Sequence, residues 1–212
     1  MWPNGRLETL IMVLQRNNAL EIANVLSQLG RSHPDDIIRG SLRAMFVSPL
    51  GEIKVLDPEL KSFVNINCPE DLTSLQPRAG KGLFIENIRL NLGNLSVEEI
   101  RSFILASSKK DGSDFLEASK LFSDSAIRLE RASSFFWSAV SREYEAKSLL
   151  HLFEQNNQCE LIKEVEVVLL KAALNYKLEA QIYEKNKCYL LAERAKADNF
   201  WCESKIKSLL LK

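Results

Sequence analysis

Two histidines, four cysteines and a few adjacent carboxylates are the side chains of this 212-residue sequence whose type and spacing invite a chemical reading. His33 adjoins Pro34 where a helix opens, and a capping or exposed role suits it there. His151 lies near a helix end, where an imidazolium complements the dipole. The pairs Asp35–Asp36 and Glu98–Glu99 fall in the first turns of predicted helices, a setting that capping and the helix dipole already explain. Gly80-Lys81-Gly82 is too short to cradle a phosphate, and a strand is expected after it. No H-E-x-x-H, G-x-S-x-G, P-loop or G-x-G-x-x-G spacing occurs. Cys68, Cys159, Cys188 and Cys202 are separated by 91, 29 and 14 positions. A disulfide framework is denser, and a zinc site brings a C-x-x-C pair or neighbouring histidines. The thiols therefore read as free, packed as small hydrophobes in a reducing, cytoplasmic setting. Cys159 stands near a helix start, but Glu160 beside it is the wrong charge to activate a thiolate. The expectation is a protein without catalytic residues, metal or cofactor, and not an enzyme.

The elements that would position any site come in two kinds. From Ser113 to Lys212 the chain contains no glycine and no proline, where average usage would place roughly a dozen. All six prolines lie at or before Pro77 and all eight glycines at or before Gly112. The two parts are thus 1–112, a small α+β unit, and 113–212, an antiparallel hairpin or bundle of long helices. Twenty-eight basic residues balance twenty-eight acidic ones, and the balance holds in each part. Attraction to nucleic acid or to an anionic membrane has no support in that balance. The apolar run 10–14 is too short for a signal-peptide core, and no stretch approaches the length of a membrane span.

In the first part the pattern predicts three helices. One covers 6–15 through Leu7, Leu10, Ile11 and Leu14. A second carries Leu20, Ile22, Val25, Leu26 and Leu29 and stops at Gly30. A third opens at His33-Pro34-Asp35-Asp36, runs through Ile37, Ile38, Leu42, Ala44 and Met45, and ends before Pro49. The alternation at 52–56 and again at 62–66, around Asp57-Pro58-Glu59, predicts a β-hairpin. Leu83 to Leu90 suggests another strand. Ser96 with Glu99 is a capping box that opens a further helix, and 109–112 reads as a linker.

In the second part Asp114 with Glu117 forms another capping box. An apolar stripe follows through Phe115, Ala118, Phe122, Ala126, Leu129, Ala132, Phe136, Ala139, Ala146, Leu150 and Phe153, skipping Glu143. Residues 155–158 turn the chain, and a second stripe begins at Ile162. The pairs Glu143/Lys147, Asp124/Arg128 and Glu203/Lys207 read as solvated i,i+4 contacts. An unbroken helix over 114–154 would be about 60 Å long. A compact chain of this size has a radius of gyration near 17 Å, so a break is expected. The candidates are 123–125, 133–134 and 184–187, the last being favoured.

Two local patterns resemble known families. Three helices and a hairpin over 6–66 resemble a winged helix-turn-helix, which implies a DNA-binding regulator that dimerises through its helices. Its recognition helix would carry Arg39 and Arg43. Asp35 and Asp36 place carboxylates where phosphates would approach, which suits a protein-binding version better. Leu169, Ala173, Tyr176, Tyr189 and Ala192 resemble a tetratricopeptide repeat, which implies packed helix hairpins. Lys185 stands where that motif has a small residue, and Ala197 where it has proline.

Phe135, Phe136 and Trp137 are consecutive on a helix and span about 200° of its circumference. Two of the three can be buried by one stripe; the other must meet a different element or a partner. Phe200-Trp201 poses the same question. The partner-interface candidates are Phe135, Trp137 and Trp201, because aromatic residues are enriched at interfaces. The sequence reads as a non-enzymatic protein-protein interaction module: an adaptor, chaperone or subunit of a larger assembly. Its partner would be another protein, with a homo-oligomer allowed and nucleic acid or membrane insertion disfavoured.

Overall fold

A computed structural model describes residues 13–60, 62, 86–93 and 95–210. The chain is mostly helical, with one small two-stranded antiparallel sheet. Helix α1, Arg16–Gln28, buries Ile22, Val25 and Leu26. It stops where Gly30 takes φ +67°, and Arg31 N–H donates to the Leu26 carbonyl at 2.8 Å. That closure is a Schellman turn, and glycine fits it because it carries no Cβ. Helix α2, Pro34–Arg39, is a short element with proline in its first turn, and His33 caps it by accepting from Asp35 N–H.

Strand β1, Arg43–Phe46, follows, then a kinked turn at Pro49–Ile53, broken at Gly51 with φ −91° and ψ −123°, and the single turn α3, Lys54–Leu56. Strand β2, Ile88–Asn91, pairs antiparallel with β1, with Arg43 opposite Asn91 and Phe46 opposite Ile88. Two expectations change here. The third helix ends at Arg39, and Ala44 and Met45 lie in a strand. The first arm of the predicted hairpin, 52–56, is helical. Its alternation has no buried side, since Val55 is 80% and Leu56 88% exposed. The strand expected at 83–90 is present as Ile88–Asn91 and pairs with β1, while 83–85 lie outside the described residues. The second arm, 62–66, lies outside the described residues apart from Ser62. So does the helix expected at 6–15, except for 13–15, which are not helical.

Helices α4 to α8 then run up and down: Val97–Asp111, Phe115–Arg131, Phe135–Asn156, Cys159–Lys185 and Tyr189–Leu210. Each packs on the next, and α1 lies against α4. The Ser96–Glu99 capping box forms at the start of α4. The box expected at Asp114 does not, and the Asp114 carboxylate instead takes a hydrogen bond from Lys109 Nζ at 3.2 Å. The breaks fall at 132–134 and 186–188, two of the predicted places, while 123–125 is continuous helix.

In each of these reversals a residue other than glycine takes the left-handed position, even beside Gly112, which stays at φ −79°. Ser113, Ser133, Asn157 and Lys187 have φ of 64°, 56°, 52° and 59°. Three of these turns close with a backbone bond five residues back, Asp114 to Lys109, Ser134 to Leu129 and Cys188 to Tyr183, at 2.8–2.9 Å. Helix α6 is the centre of the array. From Phe136 to Leu149 only Lys147 escapes full burial. The main core joins Ile22, Val25, Leu26 and Leu29 of α1 to Phe103, Phe122, Trp137, Leu169 and Tyr176, and so crosses residue 112 without a gap. A smaller cluster packs Phe46 and Leu90 of the sheet on Tyr183, Cys188 and Leu191.

A side chain in the left-handed region costs about 1–2 kcal/mol, partly offset by the extra chain entropy of glycine. Lys187→Gly and Ser133→Gly, both at exposed turn positions, are therefore expected to stabilise the fold by about 1 kcal/mol each. In thermal unfolding each should raise the midpoint by about 2–4 °C. A fall in midpoint for both would contradict the turn assignments.

Candidate functional site

The densest concentration of charge is buried rather than exposed. Arg39, at the end of α2, has a fully buried side chain. Its guanidinium grips Glu179 of α7 in a two-pronged contact, Nε to Oε1 at 2.7 Å and Nη2 to Oε2 at 2.8 Å. Its Nη1 donates to Asp36 at 3.1 Å and to Asp198 of α8 at 2.7 Å. Arg31, in the α1–α2 loop, closes the circuit. It donates to Asp36 at 3.1 Å, to Glu143 of α6 at 3.0 Å and to Asp198 at 2.9 Å. The Tyr176 hydroxyl, which accepts from Arg31 at 3.2 Å, donates to Glu143 at 3.0 Å. Both guanidinium groups also lie near the face of Phe136, at 4.6 Å for Arg39 and 5.4 Å for Arg31.

Four carboxylates thus meet two cations in the interior. Burial opposes the charge on Arg39 and Arg31, but the surrounding acids outweigh it and hold both guanidinium groups above their ordinary pKa. Burial would also raise Asp198, yet Arg39 and Arg31 together keep its carboxyl below the usual range. Glu179 is pushed up by burial against the pull of Arg39. Burial and the neighbouring Glu143 push Tyr176 well above the ordinary phenol range. All five Arg31 donors have partners among the described residues, and the assembly ties the α1–α2 loop and α2 to α6, α7 and α8.

The sequence carried one signal of this site. Glu143 is the polar residue on the α6 apolar stripe, and it is 6% exposed. The expected solvated pair Glu143/Lys147 is therefore corrected: Glu143 is an interior acid for Arg31. Asp36 likewise is a buried ion-pair partner rather than a simple first-turn charge, and Arg128 reaches across to Glu99 of α4 at 3.0 Å. Arg39, the cation that the winged-helix reading lays against DNA, is consumed inside. No sequence pattern singles out Arg31, whose partners lie 5, 112, 145 and 167 positions away.

The interface candidates separate in the structure. Trp137 is 2% exposed, and its Nε1–H donates to the Gly40 carbonyl at 2.8 Å. A Cβ on Gly40 would stand 2.8 Å from Trp137 Cζ2, so glycine is what lets α6 approach the end of α2. Phe135 is half-buried at the start of α6. Trp201 is 42% exposed on α8, next to Phe200 at 67%. Lys147 Nζ lies 3.9 Å from the Tyr144 ring centre and 5.8 Å from that of Trp201. Burial pushes Lys147 below its ordinary pKa, and burial with Glu143 pushes Tyr144 up to about 12.

Of the cysteines in the described part, Cys159 is exposed and Cys188 and Cys202 are buried, all three free. Burial raises Cys188 to about 11. His151 stacks on Phe115 at 4.8 Å and contacts Glu154 at 3.2 Å. Among the described residues no group of three or more His, Cys, Asp or Glu could hold a metal ion, and no helix is long and apolar enough to cross a membrane. A cleft of about 270 Å³ opens between α1 and α2, lined by Ala23, Leu26, Ser27, His33 and Ile37. That is slightly below the range of about 300–1,000 Å³ typical of small-molecule sites. No protein-family model matches the chain, and no curated protein or solved structure does.

Asp198→Asn keeps the shape of the side chain and removes one charge from both guanidinium contacts. We expect a loss of about 1–3 kcal/mol at neutral pH in urea denaturation. The Asp198 carboxyl has a lowered folded-state pKa. Its contribution is complete above the unfolded value, about 4, and disappears as pH falls through the folded value. The gap between wild type and variant should therefore narrow towards pH ~3. A pH-independent gap would separate Asp198 from the electrostatics of the clamp.

Proposed function

We propose that this protein is a non-enzymatic interaction module, an adaptor or subunit of a larger assembly, that presents its long helices to another protein in the cytoplasm. The observation that supports this most is the contrast between interior and surface. Arg31, Arg39 and four carboxylates are tied to one another inside, while large apolar side chains stand on the outer helix faces. Val167, Leu170 and Leu174 of α7 are 50%, 52% and 55% exposed, and Phe200 and Trp201 add a second aromatic ledge on α8. Exposed apolar surface rimmed by charge is characteristic of docking sites, and half-exposed Trp and Phe are frequent anchors. Phe135, at the rim of α6, would extend such a contact, whereas Trp137 would support it from within.

The test is capture of partners by the tagged protein from its own cells, with and without nuclease, compared with Phe200→Asp and Trp201→Asp. The expected result is a stoichiometric, nuclease-resistant protein partner that one of the two substitutions removes. Because both side chains are exposed, the melting midpoint should move by less than about 2 °C. Recovery of nucleic acid, with every protein lost on nuclease treatment, would overturn the proposal.

A further inference from the structure

We infer that the face around Trp201, shared by α4, α6 and α8, receives an acidic segment of a partner protein, one carboxylate of which meets Lys147. The inference rests on reading the helices as an interaction surface, and it names the chemistry of the partner.

Three alternate helices meet at this face. Lys147 Nζ of α6 stands 3.9 Å from the centre of the Tyr144 ring and 5.8 Å from that of Trp201 on α8. Lys110 Nζ of α4 lies 5.5 Å from the same Tyr144 ring. The rings hold the Lys147 ammonium in place but supply no anion. Lys147 is half-buried, yet it enters no hydrogen bond or ion pair among the described residues. The charges acting on it are one acid, Glu143, and two cations, Arg31 and Lys110. Glu143 is already spent on Arg31, at 3.0 Å. An ammonium drawn partly out of water, with three donors and no acceptor, is a ready receptor for a carboxylate.

The surroundings extend that preference. Arg194 and Lys205 stand seven positions before and four after Trp201, so they share its stripe of α8 over about 16 Å. Neither has an ion-pair partner among the described residues, and Arg194 Nε is buried without a hydrogen bond. Asp198, on the same side, is consumed by Arg31 and Arg39. The other two acids of α8 do not compete: Glu193 is paired with Lys196 at 2.8 Å, and Glu203 lies about 200° around the helix from Trp201. Of the cations at this face, Lys110 alone has an acid beside it, Asp111 at 3.9 Å. Trp201, 42% exposed in the middle of the stripe, supplies the apolar anchor. The matching segment carries an apolar side chain for Trp201 flanked by carboxylates within about three helical turns. A nucleic-acid strand matches less well, because its affinity grows with the number of phosphates neutralised and the charges of the whole chain balance.

The experiment is titration of the full chain with a labelled helical peptide of about four turns, leucine on one face and glutamate on the other, read by fluorescence anisotropy at physiological salt. Counterparts carry glutamine or lysine in place of glutamate, and an oligothymidylate of similar charge is the nucleic-acid probe. The glutamate peptide should bind about tenfold more tightly than the glutamine peptide. Lys147→Glu should weaken it by about tenfold and turn the preference towards the lysine peptide, whereas Lys147→Arg should keep most of the affinity. Trp201→Ala should remove most of the binding, and Lys163→Glu, exposed on α7, should change nothing. Circular dichroism of each variant checks that the fold is retained. Peptides that bind alike or not at all overturn the inference, as do a Lys147→Glu variant that behaves as wild type and an oligothymidylate that binds more tightly than the glutamate peptide. A nuclease-resistant partner from cells that survives both Lys147→Glu and Trp201→Ala would sink the acidic-segment inference alone and leave the interaction reading standing. Capture that is wholly nuclease-sensitive would sink that reading whatever the peptides do.

Discussion

Arg39 is a permanent cation with no exposed side-chain surface, and the placement of the N-terminal elements depends on how its charge is met. An ion taken out of water without partners costs several kcal/mol, so the fold exists only in arrangements that supply them. The partners come from three separate elements: Asp36 on α2, Glu179 on α7 and Asp198 on α8. Meeting all three at once fixes α2 against both C-terminal helices. Arg31 uses Asp36 and Asp198 again and adds Glu143 on α6. The acids are thus shared, and no one contact can be moved without unsettling the next. Apolar replacement of a buried ion cluster is often neutral or stabilising, so the value of the clamp lies in the few arrangements it permits.

The apolar core is arranged around that clamp. Phe136 lies between the guanidinium groups and Trp137, its ring 5.3 Å from the indole in an edge-on contact. Trp137 in turn packs on Phe103 of α4 at 5.1 Å and bonds to Gly40 just beyond α2. The aromatic triplet that appeared too broad for one stripe is resolved because α6 is enclosed by neighbours on every side. Two helices of a hairpin could not bury it; the N-terminal elements complete the enclosure. This is why the core passes residue 112 unbroken even though composition changes sharply there.

What was legible in the sequence follows from the range of the interactions involved. Helices α4 to α8 depend on local periodicity and on the scarcity of glycine and proline, so their helical character was legible. The break between α5 and α6, however, was one of several candidates, 123–125 proved continuous, and 109–111, read as linker, belong to α4. The strands were not legible. Leu42, Ala44 and Met45 continue a helical spacing, and only pairing with Ile88–Asn91, more than forty positions later, makes 43–46 extended. At 52–56 the period-two pattern was real but had nothing to pack on, and helical turns prevailed. The clamp was nearly invisible for the same reason. Its contacts span up to 167 positions, and its acids look like ordinary first-turn or solvated charges. Glu143 interrupts an otherwise apolar stripe, which was a signal of burial, but its i,i+4 spacing to Lys147 read as a solvated pair and hid the contact with Arg31.

The same features bear on how the outer surface would be used. A helix array with few glycine hinges and a shared ionic clamp holds its side chains in place before any partner arrives. Less ordering cost then falls on the binding step, so even a modest apolar face can hold a partner. The face must also be one whose exposure the fold tolerates. On α7 the buried side supplies Glu179, Tyr176, Val165 and Leu169, which fixes the rotation of the helix about its axis. Val167, Leu170 and Leu174 are left outward as a consequence, since turning them in would withdraw Glu179 from Arg39. The clamp inside and the stripe outside are therefore two results of one helix orientation.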